Sequence, residues 1–242
     1  MSGLSLFDEE TEPDAPGAWV ERPFLCLDFE TTGTDPFLAR PVSVAAVLLG
    51  PDGWTEGDTL IVDAGVDIPE SAAAIHGITE ECVAEEGVAA IEVCRYLAAR
   101  VQVAEQERRP VVMFNARFDW TLLKAEFSRY DTELPDCRII DPFVIDRHLD
   151  KYRRGKRTLI SVADHYDVRL DDAHAALADA LATGEIARVL ARTRLSHLSL
   201  DEMHAQQAAW YESWRVGFND YLRRKGDMET VTPGWPLAIG AA

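Results

Sequence analysis

Leu25-Cys26-Leu27-Asp28-Phe29-Glu30-Thr31-Thr32-Gly33 sets two carboxylates at the end of a short apolar run. The run has the length of a strand, and a spacing of two puts Asp28 and Glu30 on one strand face. The apolar residues ahead of them imply a buried strand. Two like charges there repel unless something neutralises them, and a divalent cation does so directly. Taken alone, a D-x-E pair is also what a strand end facing water looks like.

Outward from this run, residues 42–49 and 59–62 have strand character. The turn Pro51-Asp52-Gly53 follows the first of them, which predicts antiparallel neighbours. Residues 89–103 have helical spacing, with Ile91, Cys94, Leu97, Ala98 and Val101 on one stripe. A strand at 111–114, a helix at 117–127 and a strand at 138–140 follow. Helices are then expected near 143–149 and 159–166, and a long alanine-rich one over 173–192. A meander of strands followed by strands alternating with helices indicates an α/β domain over residues 23–193.

Residues 1–22 hold six acidic residues, one basic residue and two prolines, and are expected to form a flexible acidic tail. Residues 194–242 form a C-terminal extension whose helix spans 200–225, ending in an extended stretch. On that helix Met203, Gln207, Trp210, Trp214, Phe218 and Tyr221 recur at intervals of three and four. Such a stripe serves either to dock the helix on its own domain or to bind a partner.

The 242 residues carry 24 Lys+Arg against 42 Asp+Glu, a formal charge of −18. That balance argues against holding nucleic acid by bulk charge, and it suits a protein that gathers carboxylates around divalent cations. With 47% hydrophobic residues the chain can bury a core. Its apolar stretches fall short of the about 20 residues needed to span a bilayer. The acidic start lacks a basic signal-peptide region. Cys26, Cys82, Cys94 and Cys137 form no C-x-x-C pair, as expected for reduced thiols in a cytoplasmic protein.

Three further residues bear on the carboxylate pair. At about 100° per residue, Asp179 aligns with Ala175, Ala182, Ile186 and Leu190 and lies opposite Arg188. It therefore sits on an apolar stripe, where a paired or metal-bound carboxylate is expected. Asp119 follows Asn115 in V-V-M-F-N-A-R-F-D-W; the two are either site residues or a helix N-cap with a first-turn carboxylate. His174 lies five residues before Asp179, about 140° away, so it is expected at the start of the helix, leaning over the site. A histidine beside a carboxylate–metal cluster is a natural proton acceptor near neutral pH.

In order, D-x-E, N-x-x-x-D and H-x-x-x-x-D resemble the DEDDh 3′–5′ exonucleases, a family that includes the proofreading epsilon subunit of bacterial DNA polymerase III. The matching motifs are residues 25–33, 112–123 and 174–179, and A-I-H-G-I-T at 74–79 and G-K-R-T-L at 155–159 look similar too. The resemblance implies an RNase H-like α/β fold, with a mixed five-stranded sheet flanked by helices. It also implies two divalent cations, Mg²⁺ or Mn²⁺. Asp28 would bridge both, Glu30 and Asp179 would hold the first, and Asp119 would place the second. His174 would be the catalytic proton acceptor. Thr31, Thr32, His76 and Asn115 would line the terminal-nucleotide pocket. Lys151, Arg153, Arg154, Lys156 and Arg157 crowd five positive charges into seven residues, either against substrate phosphates or as a solvated loop.

The function so implied is release of nucleoside monophosphates from DNA 3′ ends, in proofreading or repair. Two rivals stand beside it: an RNA-trimming 3′–5′ exoribonuclease, and a non-catalytic interaction module on the same fold. Finally, G-L-S-L-F at residues 3–7 resembles the sliding-clamp motif Q-L-S-L-F without its leading Gln, which suggests clamp docking through Leu4, Leu6 and Phe7.

Overall fold

A computed structural model describes residues 14–170 and 175–239. The clamp-like Leu4, Leu6 and Phe7 and the expected proton acceptor His174 lie outside the described residues. The strands are β1 (Phe24–Thr31), β2 (Pro41–Leu49), β3 (Thr55–Asp63), β4 (Val88–Ala89), β5 (Val111–Val112) and β6 (Ile139–Ile140). The helices are α1 (Glu70–His76), α2 (Glu80–Glu86), α3 (Ala90–Gln106), α4 (Ala116–Arg129), α5 (Pro142–Leu149), α6 (Leu159–His165), α7 (Ala176–Leu190) and α8 (Leu200–Lys225).

The sheet is mixed, as expected, and runs β4-β3-β2-β1-β5-β6. β1, β2 and β3 are antiparallel, whereas β5, β6 and β4 join in parallel. Its sixth strand is the two-residue β4, too short to leave a pattern in the sequence. The same holds for α1 and α2, seven residues each. The A-I-H-G-I-T segment spans the joint between them: Gly77 ends α1 in the left-handed conformation that its lack of Cβ permits, and the Thr79 side chain caps α2.

Strand alternation divides the core into two layers and fixes where the carboxylates point. Leu25, Leu27 and Phe29, with Val44, Ala46 and Leu48, pack on α3 and α4. Phe24 and Cys26, with Ala45, Val47 and Leu49, pack on α7. Asp28 and Glu30 continue the Phe24–Cys26 side, so they face the layer that contains α7. This helix approaches closely because its sheet-facing residues are small. A Cβ at Gly184 would lie 2.5 Å from Cys26 Sγ and 2.7 Å from Leu49 Cδ2.

Two expectations change, and of the two roles open to the C-terminal helix one is borne out. Residues 14–22 are packed rather than tail-like: Trp19 is buried and donates its indole N–H to the Leu198 carbonyl, while Asp14 pairs with Arg22 and Arg108. Arg188 does not mark a solvated face. It is buried over the Phe24 ring, 3.8 Å from its centroid, and its guanidinium donates to the Val20 and Leu49 carbonyls, so α7 is enclosed on nearly all sides. The C-terminal helix is built into the domain. β6 is an edge strand, and Gln207 and His204 of α8 satisfy its backbone: Gln207 Nε2 donates to the Ile139 carbonyl and His204 Nδ1 accepts the Ile139 N–H. No helix among the described residues is long and apolar enough to cross a membrane.

Candidate metal centre

Asp28 and Glu30 leave the end of β1 on the face that meets α7, and Asp179 stands in the first turn of α7. One carboxylate oxygen from each of these three residues lies within 4.8 Å of the others. Residues some 150 positions apart in the chain thus converge because an alternating strand and a close-packed helix share one face of the sheet.

The electrostatics follow from that crowding. Burial pushes the Asp28 carboxyl well above its ordinary range, and the neighbouring charges of Asp119, Asp179 and Glu30 push it further. Glu30 is raised to about 7, first by burial and then by Asp179. Asp119, in the first turn of α4, is also raised, by burial, then by the charge of Asp141 and that of Glu30. Asp119 is outside the tight trio, yet near enough to act on Asp28. An oxygen-only set of half-buried carboxylates that resist ionisation together fits a hard divalent cation, whose charge offsets their repulsion.

The backbone around these groups is fixed by a residue that the sequence reading passed over. Asn115 occupies the N-cap position of α4 in the left-handed conformation, and its side chain makes no capping bond. The cap comes instead from Asp141, which is fully buried at the end of β6. Its carboxylate accepts the N–H groups of Asn115 (2.9 Å), Ala116 (3.0 Å) and Phe143 (3.1 Å) and the indole N–H of Trp235 (3.1 Å). One carboxylate therefore caps both α4 and α5. Burial raises Asp141 to about 6, with these hydrogen bonds opposing the rise. The sequence signal for it was present, because an Asp directly before a Pro at the first helical position is an N-cap pattern.

Of the expected pocket residues, Thr31 donates its hydroxyl to the Gly33 carbonyl, and Thr32 Oγ1 accepts the Arg40 N–H, closing the loop between β1 and β2. Arg40 in turn forms a two-pronged ion pair with buried Glu126 of α4, which ties that loop to the helix bearing Asp119. His76 ends α1. Its Nδ1 accepts the Ile78 N–H, and burial lowers its pKa, so the ring is neutral near pH 7. Arg154, Lys156 and Arg157 stand on the loop between α5 and α6. Arg157 is engaged there with buried Asp146, as is Arg153.

Comparison with known proteins agrees with this geometry. The family model described as exonuclease (RNase T) matches residues 25–187, the span from β1 into α7 that carries Asp28, Glu30, Asp119, Asp141 and Asp179. The chain belongs to the exonuclease family. Within that family the resemblance to DEDD-type 3′–5′ exonucleases stands. The 3′–5′ exonuclease DinG of Bacillus subtilis (strain 168) is 28% identical over 167 residues, covering 67% of this chain and 17% of DinG. E. coli exonuclease I in complex with a dT13 oligonucleotide superposes with a TM-score of 0.60 at 21% identity, over 72% of this chain and 41% of that one. A zinc-bound exonuclease I–ssDNA complex, also from E. coli, gives 0.61 at 20% identity, with 72% and 41% covered. At such identity the likeness shows the RNase H-like fold. The chain thus spans about a sixth of DinG and two fifths of exonuclease I.

Proposed function

We propose that this protein is a metal-dependent 3′–5′ exonuclease, releasing nucleoside monophosphates from DNA 3′ ends by two-metal-ion hydrolysis in proofreading or repair. The observation that carries the proposal is the convergence of Asp28, Glu30 and Asp179, with Asp119 beside them. The similarity to the 3′–5′ exonuclease DinG supports the reaction, and the oligonucleotide bound to exonuclease I supports DNA as the substrate.

When bound, Mg²⁺ or Mn²⁺ ions supply Lewis-acid stabilisation of charge on the phosphate oxygens. Asp28, Glu30 and Asp179 would hold the first ion, and Asp119 would help to place the second. His174 accepts the proton of the attacking water. A new phosphorus–oxygen bond forms to that water, the phosphorus–O3′ bond breaks, and the electron pair stays on the leaving 3′ oxygen, which is then protonated. Thr31, Thr32, His76 and Asn115 receive the terminal nucleotide, and Arg154, Lys156 and Arg157 meet phosphates further along. The four free cysteines, three of them buried, suit a reducing cytoplasm.

Digestion of matched 5′-labelled DNA and RNA oligonucleotides, in Mn²⁺ and in chelator, tests the proposal. The expected result is a ladder shortening from the DNA 3′ end in Mn²⁺ alone. No degradation in Mn²⁺ defeats the proposal, and faster loss of RNA would make the protein an RNA-trimming enzyme instead.

A further inference from the structure

Beyond the metal centre, α5 and α8 enclose a groove whose chemistry differs from the rest of the molecule. Arg147, on the last turn of α5, is held between two rings, 4.3 Å from the centroid of Phe143 and 4.1 Å from that of Trp214. Among the described residues no carboxylate pairs with it, and its Nε is buried without a hydrogen-bond partner. Arg147 lines two adjoining hollows of about 470 and 540 Å³, which share Arg147, Lys151, Trp214 and Phe218. Lys156 extends one of them, and Tyr221 and Arg224 the other. No acidic side chain lines either hollow, although the chain as a whole carries −18.

The neighbouring arginines behave differently. Arg153 and Arg157 are engaged with Asp146, and Arg223 with Asp220, so each has its counter-charge. Arg147, Lys151, Lys156 and Arg224 have no such ion pair among the described residues and border the groove. Along its α8 side Trp214, Phe218 and Tyr221 form a run of near-parallel rings: 5.3 Å between the first two at 18°, and 6.1 Å between the second two at 22°. Tyr221 is exposed, and Trp214 and Phe218 are only partly covered. Cations without an internal counter-charge hold a string of phosphates, and partly exposed aromatic rings offer π surface to unpaired bases. Together they describe an unpaired strand rather than a duplex, whose bases turn inward.

We infer that this α5–α8 groove binds single-stranded DNA, with phosphates on Arg147, Lys151, Lys156 and Arg224 and bases stacked on Trp214, Phe218 and Tyr221. The inference rests on the proposed DNA substrate. Arg147 lies six residues along α5 from Asp141, the residue that caps α4 and α5, or about 9 Å of helix, so the groove is built on one of the two helices that the Asp141 cap organises. It supplies the local positive surface that the overall charge withholds.

The test measures equilibrium binding of fluorescent oligodeoxythymidine to the full chain in chelator, where hydrolysis does not interfere. Four phosphate contacts predict a slope of about −3 in log affinity against log salt. An abasic oligomer of equal phosphate count should bind at least about tenfold more weakly, for want of stacking. Lys151→Glu with Arg224→Glu, both at exposed positions, should weaken both ligands at least tenfold and flatten the salt slope. Trp214→Ala with Phe218→Ala should erase the difference between them. Circular dichroism checks each variant, and the exposed charge reversals carry the test if the aromatic pair fails to fold. Unchanged affinity in folded charge-reversal variants overturns the groove, as does equal binding of the abasic oligomer by wild type, or displacement of the oligonucleotide by polyglutamate at equal charge. Tighter binding of oligouridine overturns its assignment to DNA. Cleavage of DNA without groove binding defeats the groove alone, whereas groove binding without cleavage in Mn²⁺ defeats the proposed function alone.

Discussion

The indole N–H of Trp235 donates to the Asp141 carboxylate at 3.1 Å, so a residue near the end of the chain braces the cap of the helix that bears Asp119. Arg117 strengthens the brace by donating to the carbonyls of Gly234 and Thr232. A buried carboxylate with four N–H donors is the kind of group whose loss is felt directly, because every donor is left behind.

Asp141→Ala should therefore lower stability by more than about 3 kcal/mol, since hydrogen bonds to charged groups are worth about 1.5–3 kcal/mol each. Trp235→Phe removes one of the four and should cost about 1–2 kcal/mol. Urea denaturation monitored by circular dichroism measures both. An Asp141→Ala protein as stable as wild type would show that the cap holds nothing together.

Asp28→Asn and Asp179→Asn should each lower nuclease activity in Mn²⁺ by more than about 100-fold, the upper end of losses caused by disturbing groups behind the ligands. Each should also remove most of the rise in melting temperature that Mn²⁺ gives the wild type. Wild-type rates in both variants would place the reaction elsewhere.

Glu30 is raised from its ordinary 4.5 to about 7 in the folded, metal-free protein. Between those values the native state holds more protons than the unfolded chain, so stability falls as pH rises through this window and stays lower above it. In chelator the melting temperature should be higher at pH 5.5 than at pH 8. Mn²⁺ should raise it far more at pH 8, where no proton competes for the carboxylates. Glu30→Gln should flatten the slope in chelator; an unchanged slope would remove Glu30 from the account.

Gly184→Val should destabilise the fold by about 1–3 kcal/mol through overpacking against Cys26 and Leu49. Because the same helix carries Asp179, Mn²⁺ affinity should fall with it. Isothermal titration of Mn²⁺ reads this, and an unaltered affinity would mean that α7 shifts without carrying its carboxylate.

Glu126→Ala leaves Arg40 and Arg129 without their shared buried partner and should cost about 3–5 kcal/mol. Glu126→Gln should cost less. Thermal melts of the two variants rank them, and the reverse order would mean that the pair is not what anchors the β1–β2 loop.

Much of this architecture was legible in the sequence because its long elements carry full periods. The alternation through Leu25, Leu27 and Phe29 and the spacing of Asp28 and Glu30 sufficed to place both carboxylates on one face. The α8 boundaries at Leu200 and Lys225 follow from a Ser-x-x-Glu capping box and a left-handed Gly226. Asp179 was found by its stripe, yet Arg188 misled, because an arginine whose charge is spread over carbonyls and an aromatic ring can be buried. Asp141 escaped because its importance lies in three partners far away in the chain. Trp19 escaped because an acidic, proline-bearing segment reads as solvated even when one indole anchors it. The groove needed two segments, 147–158 and 210–224, whose adjacency no local pattern announces.

The Trp235 brace also has a consequence for the order of synthesis. A ribosome makes Asp28, Glu30, Asp119 and Asp179 long before it makes residue 235, so a nascent chain owns all its acidic ligands while the helix beneath Asp119 still lacks its last support. Full cleavage competence would then arrive late, once the polypeptide has emerged far enough for its distal indole to swing back and lock the cap.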